Sequence, residues 1–147
     1  SAAEGFTTSG VRRWNETIGE GDAFLFVTPE YNHSVPAVLK NAIDSVFTSW
    51  GFRNKPAGFV GYSGGLIGAA RAVEHLVGIT VEAEMVPLRN AVLLGQVHRS
   101  FPEGRPADPA TDEALTVLLD DLAWWGEALR AARAKGELPP AMMRRAA

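Results

Sequence analysis

A short apolar run, Ala23–Val27, is followed directly by a polar, turn-rich stretch from Thr28 to Pro36 and then by an amphipathic segment. A continuous apolar run that contains aromatic residues is typical of a strand covered on both faces, and such strands are usually parallel. A polar loop between a buried strand and a helix is where open α/β sheets bind their ligands. This loop offers backbone N–H groups, an aromatic ring, a carboxylate and an amide, a mixture that suits a flat heteroaromatic ligand.

The same alternation of apolar runs and amphipathic segments recurs along the chain. It predicts a parallel sheet with helices on both faces, hence an α/β fold. Only three strands are predicted, so we expect another segment or another subunit to cover one apolar edge of the sheet. The predicted elements are helix 9–19, strand 23–27, helix 34–50, strand 57–62, helix 67–81, strand 85–94 and a long last helix from Thr111 or Asp112.

The two most strongly patterned helices are predicted in more detail. Ser34 is a good N-cap for the second helix, and Pro36 suits its first turn. Apolar side chains at helical spacing are expected to face the core. In the second helix these are Val35, Val38, Leu39, Ala42, Ile43, Val46 and Phe47, and in the last helix Leu115, Leu118, Leu119, Leu122, Trp125 and Leu129.

The composition limits the class of protein. The 147 residues suffice for one domain, 1–147, whose Pro-containing tail from 137 to 147 is expected to be mobile. The net charge of -3 argues against nucleic-acid or anionic-membrane partners, and the absence of cysteine excludes disulfides and thiolate sites. No apolar run is long enough to span a membrane, and Ser1–Gly5 lacks the basic and apolar regions of a signal peptide, so a cytoplasmic protein is expected.

Two motifs resemble a known family. The first is Pro29-Glu30-Tyr31-Asn32, followed by Ser34-Val35-Pro36 and by Leu39–Asp44; the second is Tyr62-Ser63-Gly64-Gly65, followed by Gly68, Arg71-Ala72 and His75-Leu76. Both are similar to motifs of the NADPH-dependent FMN reductases, flavodoxin-like proteins that include bacterial quinone, chromate and azo-dye reductases. The first motif is the more specific because it is long and ungapped. The resemblance covers roughly residues 10 to 130.

The resemblance implies a flavodoxin-like three-layer sandwich around a parallel sheet. It also implies FMN as cofactor, NAD(P)H as electron donor, a quinone, flavin or other small molecule as acceptor, and a homodimer or homotetramer. No catalytic side chain and no metal site are expected, since the flavin carries the chemistry. By the same resemblance Pro29, Glu30, Tyr31 and Asn32 would line the isoalloxazine ring, Ser34 would belong to the cofactor site, and Ser63, Gly64 and Gly65 would approach the pyrimidine edge of the ring.

One part of the family pattern has no counterpart in the sequence. Family members begin with a strand and a Gly-Ser-x-Arg-type loop, which holds the FMN phosphate at a helix N-terminus. The stretch Gly5–Gly10 is polar and contains glycine, but no strand precedes it. We therefore expect the N-terminal strands and the phosphate loop, about one strand-helix-strand unit, to be absent from this chain.

Simpler interpretations remain open for individual residues. Tyr31 is also explained as an ordinary loop aromatic, and Asn32 as a residue that satisfies turn amides. Glu30 either orients the loop or pairs with a neighbouring subunit. Arg71 either binds a nicotinamide phosphate, contacts another subunit or is a surface residue.

Two other functions are compatible with the sequence. The first is a flavodoxin-like electron carrier, which binds FMN without reacting directly with NAD(P)H. The second is a cofactor-free structural or regulatory relative. A hydrolase is disfavoured because Ser63 lacks a Gly-x-Ser-x-Gly context. His33, His75 and His98 are too scattered for a metal site.

Overall fold

The computed structural model describes residues 8–144, in which strands alternate with helices. The element order agrees with the predicted one, with two short helices and two 3-10 turns in addition. The elements are α1 (Ser9–Glu20), β1 (Phe24–Pro29), α2 (Ala37–Asp44), a 3-10 turn (Phe47–Ser49), β2 (Pro56–Tyr62), α3 (Ala70–Glu82), β3 (Val86–Leu94), α4 (Val97–Ser100), a second 3-10 turn (Pro102–Gly104), α5 (Ala110–Ala134) and α6 (Ala141–Arg144).

The three strands form a parallel sheet with the order β1-β2-β3, as predicted. β2 is central, and nearly all of its residues are buried. The strands end in register, because Pro29 pairs with Tyr62 and Tyr62 pairs with Leu94. Loops that follow the three strands therefore start side by side at one edge of the sheet.

Helices cover both faces of the sheet, which confirms the predicted α/β layers. On one face Phe59 of β2 packs in a core that also contains Ile18 of α1, Ile43 of α2 and Leu76 of α3. The neighbouring residue, Val60, points to the other face, where the core is completed from β3 and α5. The residues contributed there by β3 and α5 are Leu88, Val92, Leu118 and Leu122.

The prediction that the first strand is covered on both faces is wrong for β1. Phe24 and Phe26 pack in the core, but Leu25 is exposed and Val27 is 60% exposed. Both point to the face covered by α5, which packs mainly on β3 and β2 and has Gly126 beside Ala23, just before β1. Within residues 8–144 no element covers the rest of that face of β1.

The predicted start of the second helix is also wrong. The N-cap position of α2 is Pro36, and Ser34 belongs to the preceding turn, where its Oγ hydrogen-bonds Nδ1 of His75 at 2.9 Å. The predicted apolar stripe faces the core only in part: Ile43 is buried, whereas Val38 is 78% exposed and Phe47 is exposed in the 3-10 turn. The helix ends at Asp44 and a 3-10 turn follows at Phe47–Ser49, so α2 is shorter than the helix predicted at 34–50.

The last helix begins slightly earlier than predicted, and fewer of its apolar residues face the core. The backbone N–H of Ala110 donates to Asp108 Oδ1 at 2.9 Å, so neither Thr111 nor Asp112 is its cap. Leu118 and Leu122 are buried, but Leu119 and Trp125 are exposed because one stripe of the helix meets the sheet.

The two ends of the chain are described in part. Of the stretch Gly5–Gly10, residues 5–7 lie outside the described part, and Thr8 caps α1 by accepting a hydrogen bond from the Val11 N–H. In the tail, Glu137 accepts a hydrogen bond from Asn54 at 2.9 Å, while residues 145–147 lie outside the described part. The mobility of the tail stays a prediction. None of the helices among residues 8–144 is long and apolar enough to cross a membrane.

Candidate functional site

Three loops lie together at the carboxyl ends of the strands. Two backbone hydrogen bonds continue the sheet into them: the Glu30 N–H donates to the Tyr62 carbonyl at 3.3 Å, and the Ser63 N–H donates to the Leu94 carbonyl at 3.0 Å. The loops are 30–36, 63–69 and 95–96, the last of which leads into α4. The ligand crevice of an open parallel sheet lies at this edge.

The first loop contains a tight turn. Tyr31 and Ser34 exchange two backbone hydrogen bonds of 3.0 and 3.1 Å, and the central residues Asn32 and His33 have φ of 49° and 71°. Positive φ at both central residues is the mark of a type I′ turn, which asparagine tolerates well. Among the described residues, the N–H groups of Asn32 and His33 donate to no backbone or side-chain acceptor. Tyr31 is 62% exposed, so its ring is available for stacking.

The second loop offers a similar backbone surface. The carbonyls of Ser63 and Gly65 are engaged by the N–H groups of Val97 (3.0 Å) and Gln96 (2.8 Å), and Ser63 Oγ also donates to the Gly65 carbonyl. The N–H groups of Gly64 and Gly65 have no acceptor in the described part of the chain. Unengaged N–H groups are thus present both in the turn at 31–34 and at Gly64 and Gly65 of this loop.

Glycine leaves the surface of the second loop open. An added Cβ on Gly64 would have its nearest neighbour, Nε2 of His98, 3.6 Å away, and one on Gly65 would be 3.8 Å from Ser63 Oγ. A flat ligand can therefore approach this backbone closely. Beside the first loop lies a cavity of about 350 Å³, whose lining residues are Val27, Thr28, Pro29, Tyr31, Pro36, Val38 and Leu39.

The Glu30 side chain points to α3, away from the loop surface. Its side chain is only 5% exposed, and Oε1 accepts hydrogen bonds from Nε (2.6 Å) and Nη2 of Arg71. These bonds lower the pKa of Glu30 below its ordinary value, although burial acts in the opposite direction. The positive charge of Arg71 and the backbone amides of Arg71 and Ala72 lower the pKa further. What Glu30 presents to the loop surface is its backbone.

The predicted site residues are thus brought together in two clusters. Pro29 ends β1, Tyr31 and Asn32 lie on the first loop, and Ser63, Gly64 and Gly65 lie on the second. Ser34 closes the turn and contacts His75 of α3.

The predicted site residues do not include His98, which lies beside Gly64. The available signal was its position a few residues after the third predicted strand, which places it at the same edge of the sheet.

Comparison with known proteins identifies the family of the chain. Residues 2–99 match the model of the NADPH-dependent FMN reductase family. The chain belongs to this family. An NAD(P)H-dependent FMN reductase of Pseudomonas aeruginosa is 40% identical over 124 residues, which cover 82% of this chain and 67% of that protein. A 2-hydroxy-1,4-benzoquinone reductase of a Burkholderia species is 36% identical over 120 residues, 78% of this chain and 65% of that protein.

A solved structure supports the same conclusion for the fold. FerB, described as a flavoenzyme NAD(P)H:(acceptor) oxidoreductase of Paracoccus denitrificans, superposes with a TM-score of 0.72 at 32% identity, over 83% of this chain and 70% of FerB. The family, the flavodoxin-like fold and the class of NAD(P)H- and FMN-dependent oxidoreductases are thereby confirmed at the level of the family. The chain spans about two thirds of the length of these relatives.

The geometry of the two loops fits the ring of FMN. The pyrimidine side of an oxidised isoalloxazine ring carries mainly acceptors, so it needs N–H donors. Unengaged N–H groups are available at Asn32, His33, Gly64 and Gly65. The open backbone of Gly64 and the exposed ring of Tyr31 provide flat contact surface.

Proposed function

We propose that this chain acts in an FMN-dependent oxidoreductase, which passes electrons from NAD(P)H to a quinone, a flavin or another small acceptor. The observation that carries this proposal is the pair of adjoining loops, which have unengaged N–H groups at Asn32, His33, Gly64 and Gly65 and an open surface at the two glycines. Bound FMN would supply the redox chemistry, because its ring can accept a hydride and release electrons to the second substrate. The names of the relatives from Pseudomonas aeruginosa and Burkholderia support both half-reactions.

The residues of the chain have binding and orienting roles in this proposal. Pro29, Tyr31 and Asn32 would contact one side of the ring, the last through its backbone N–H. Gly64 and Gly65 would donate hydrogen bonds at the pyrimidine edge, where they stabilise negative charge. Ser63 and Ser34 act indirectly, because their hydroxyls hydrogen-bond Gly65 and His75, respectively.

Rapid mixing tests the proposal and separates it from the two rival functions. The chain is saturated with FMN, made anaerobic and mixed with NADPH, and the flavin absorbance is followed. We expect bleaching on mixing and recovery of the absorbance when a benzoquinone is added. A chain that binds FMN but is not bleached by NADPH would be an electron carrier. A chain that stays colourless after FMN soaking and gel filtration would be the cofactor-free relative.

The electron acceptor and the oligomeric state are narrower proposals. We infer that the acceptor is a small quinone, because the Burkholderia relative is named for one. We also propose a homodimer or homotetramer, supported by an apolar groove of about 510 Å³ between α2, the 3-10 turn and α3. Phe47 lines this groove and is exposed. The cytoplasmic location stays a prediction.

Analytical ultracentrifugation tests the oligomer. We expect a species of twice or four times the chain mass at micromolar concentration, and a shift toward the monomer when Phe47 is changed to Glu. Thr48→Glu is the matched control, because it adds the same charge at the neighbouring exposed position. A monomeric wild-type chain would contradict this part of the proposal.

A further inference from the structure

A partly buried ion pair joins the first loop of the candidate site to the helix that follows the second loop. Glu30 directly follows β1, and Arg71 is the second residue of α3. The carboxylate is enclosed, with 5% of the side chain exposed, whereas the Arg71 side chain is 42% exposed. Two guanidinium nitrogens converge on the single oxygen Oε1, and the other oxygen, Oε2, is buried without a hydrogen-bond partner in the described part of the chain.

The helix end that receives this carboxylate has no cap of its own. The N-cap position of α3 is Ala69, which has a φ of 64° and cannot accept a hydrogen bond from the first turn through its side chain. A negative charge beside a helix N-terminus is favourable because the first N–H groups of a helix have no intrahelical acceptor. Glu30 supplies that charge from a different element.

The second loop is held at its other side by close backbone packing. Gly68 has a φ of 59°, and a Cβ added to it would lie 2.8 Å from the carbonyl carbon of Leu93 and from the backbone nitrogen of Leu94. The end of the loop is therefore fixed against β3. On the side of β1 the ion pair between Arg71 and Glu30 makes the corresponding connection.

We propose that Glu30 and Arg71 are positioning residues, which hold the turn at 31–34 at a fixed distance from the 63–69 loop. The unengaged N–H groups of the two loops are then positioned to donate hydrogen bonds to one ligand between the loops. The ligand in this inference is the flavin ring, so this part rests on the proposed function. The positioning itself is a property of the chain without ligand.

The substitutions have distinct expected effects. Glu30→Gln keeps the shape of the side chain but removes its charge, which weakens the bond to Arg71. Arg71→Met removes the donors and leaves a buried carboxylate unpaired, which is the more damaging change. The double variant removes both charges, so we expect it to recover stability without restoring the connection between the loops.

Hydrogen exchange of the full chain without ligand is the primary readout. In Glu30→Gln we expect the amides of Tyr31 and Ser34, which are hydrogen-bonded across the turn, to exchange about tenfold faster, while those of β2 are unchanged. Titration with FMN, followed by flavin fluorescence, is expected to show a dissociation constant about tenfold higher. The control is Asp44→Asn, which breaks the exposed ion pair between Asp44 and Lys40 on α2 (2.7 Å). It should leave the exchange rates and the FMN dissociation constant as in the wild type.

The outcomes separate this inference from the proposed function. Unchanged exchange of the Tyr31 and Ser34 amides in Glu30→Gln would overturn the positioning role even if FMN binds. A double variant that recovers wild-type exchange and FMN affinity would also overturn it, because the pair would then serve packing alone. If the wild-type chain does not bind FMN, the proposed function fails, yet faster exchange in Glu30→Gln still supports the positioning role. Glu30→Gln decides the matter if Arg71→Met does not fold.

Discussion

Two glycines near the carboxyl end of β2 have opposite surroundings. A Cβ added to Gly61 would lie 2.8 Å from the Gly68 carbonyl oxygen and 3.0 Å from Val73 Cγ2, closer than real contacts allow. A Cβ on Gly64 would meet nothing within 3.5 Å, since its nearest neighbour is His98 Nε2 at 3.6 Å. The first glycine is thus required by the fold. The fold does not require the second, but the proposed function does, because a ligand would lie against it.

A matched pair of substitutions tests this difference. We expect Gly64→Val to leave the melting temperature unchanged and to raise the FMN dissociation constant at least tenfold, because the side chain would occupy the ring surface. Gly61→Val should lower the free energy of unfolding by about 1–3 kcal/mol, the usual cost of overpacking. Thermal melts and FMN titrations measure the two effects. Tight FMN binding by Gly64→Val would show that the ring lies elsewhere.

Acid stability reports on Glu30 directly. Its pKa is lower in the folded chain, chiefly because Arg71 hydrogen-bonds the carboxylate, so the unfolded chain takes up the proton first as the pH falls. The stabilisation is fully present above the ordinary value of about 4.3 and is lost as the pH falls through the folded pKa. Urea unfolding from about pH 7 to about pH 3 should show the advantage of wild type over Glu30→Gln shrinking below about 4.3. A difference that does not change with pH would contradict this assignment.

Among the secondary-structure elements, the order and direction of the strands were predictable from the sequence. Whether a helix covers each face of a strand was not. β2 was predicted at 57–62 and found at Pro56–Tyr62, because a strand buried on both faces reads as an unbroken apolar run. β1 has the same kind of sequence, yet Val27 is 60% exposed. The sequence of a strand cannot show whether another element reaches its outer face.

The helices show the same limit. Hydrophobic periodicity indicated α2 but not its first residue. Serine is common both at helix N-caps and in turns, and the backbone hydrogen bonds between Tyr31 and Ser34 place Ser34 in a turn. The ion pair between Glu30 and Arg71 joins residues that are 41 positions apart, so no local pattern could predict it.

Lys55 connects α1 to the start of β2 and gives a test at this scale. Its buried Nζ donates to the carbonyls of Ile18 and Gly19 at 3.1 and 3.0 Å, at the end of α1. Burial lowers its pKa, and the charge of Arg133 adds to this. We expect Lys55→Met to lower the free energy of unfolding by about 1–3 kcal/mol, because two carbonyls lose their donor.

Urea unfolding of Lys55→Met beside Lys135→Met provides the comparison. Lys135 is an exposed lysine at the end of α5, so its substitution should change the free energy of unfolding little. Equal effects of the two substitutions would mean that Lys55 does not hold α1 in place.

At the scale of the molecule, the candidate site was predicted as two loops and found beside a third. The resemblance identified the loops at Pro29–Asn32 and Ser63–Gly65, and the parallel strands brought them together. The position of His98 depends on how the chain turns after β3, where Val97 donates to the Ser63 carbonyl. Such a contact follows from the packing of loops, for which the sequence has no periodic signal.

Two cavities of the molecule compete as the place of the ligand. The larger, of about 510 Å³, lies in the groove between α2 and α3, and the smaller, of about 350 Å³, lies beside the first loop at the end of β1. The N–H groups of Gly64 and Gly65, whose backbone surface is open to a flat ligand, belong to the loops. Chemistry therefore favours the loops, although size favours the groove.

Hydrogen exchange of the wild-type chain with and without saturating FMN shows whether the two loops bind the flavin. We expect slower exchange in 30–35 and 63–68 on addition of FMN, and no change in 43–52 and 78–83, which line the groove. The same pattern should be weaker in Gly64→Val at equal FMN concentration. Protection confined to the groove, or none at all with FMN bound, would contradict the claim that these two loops hold the flavin.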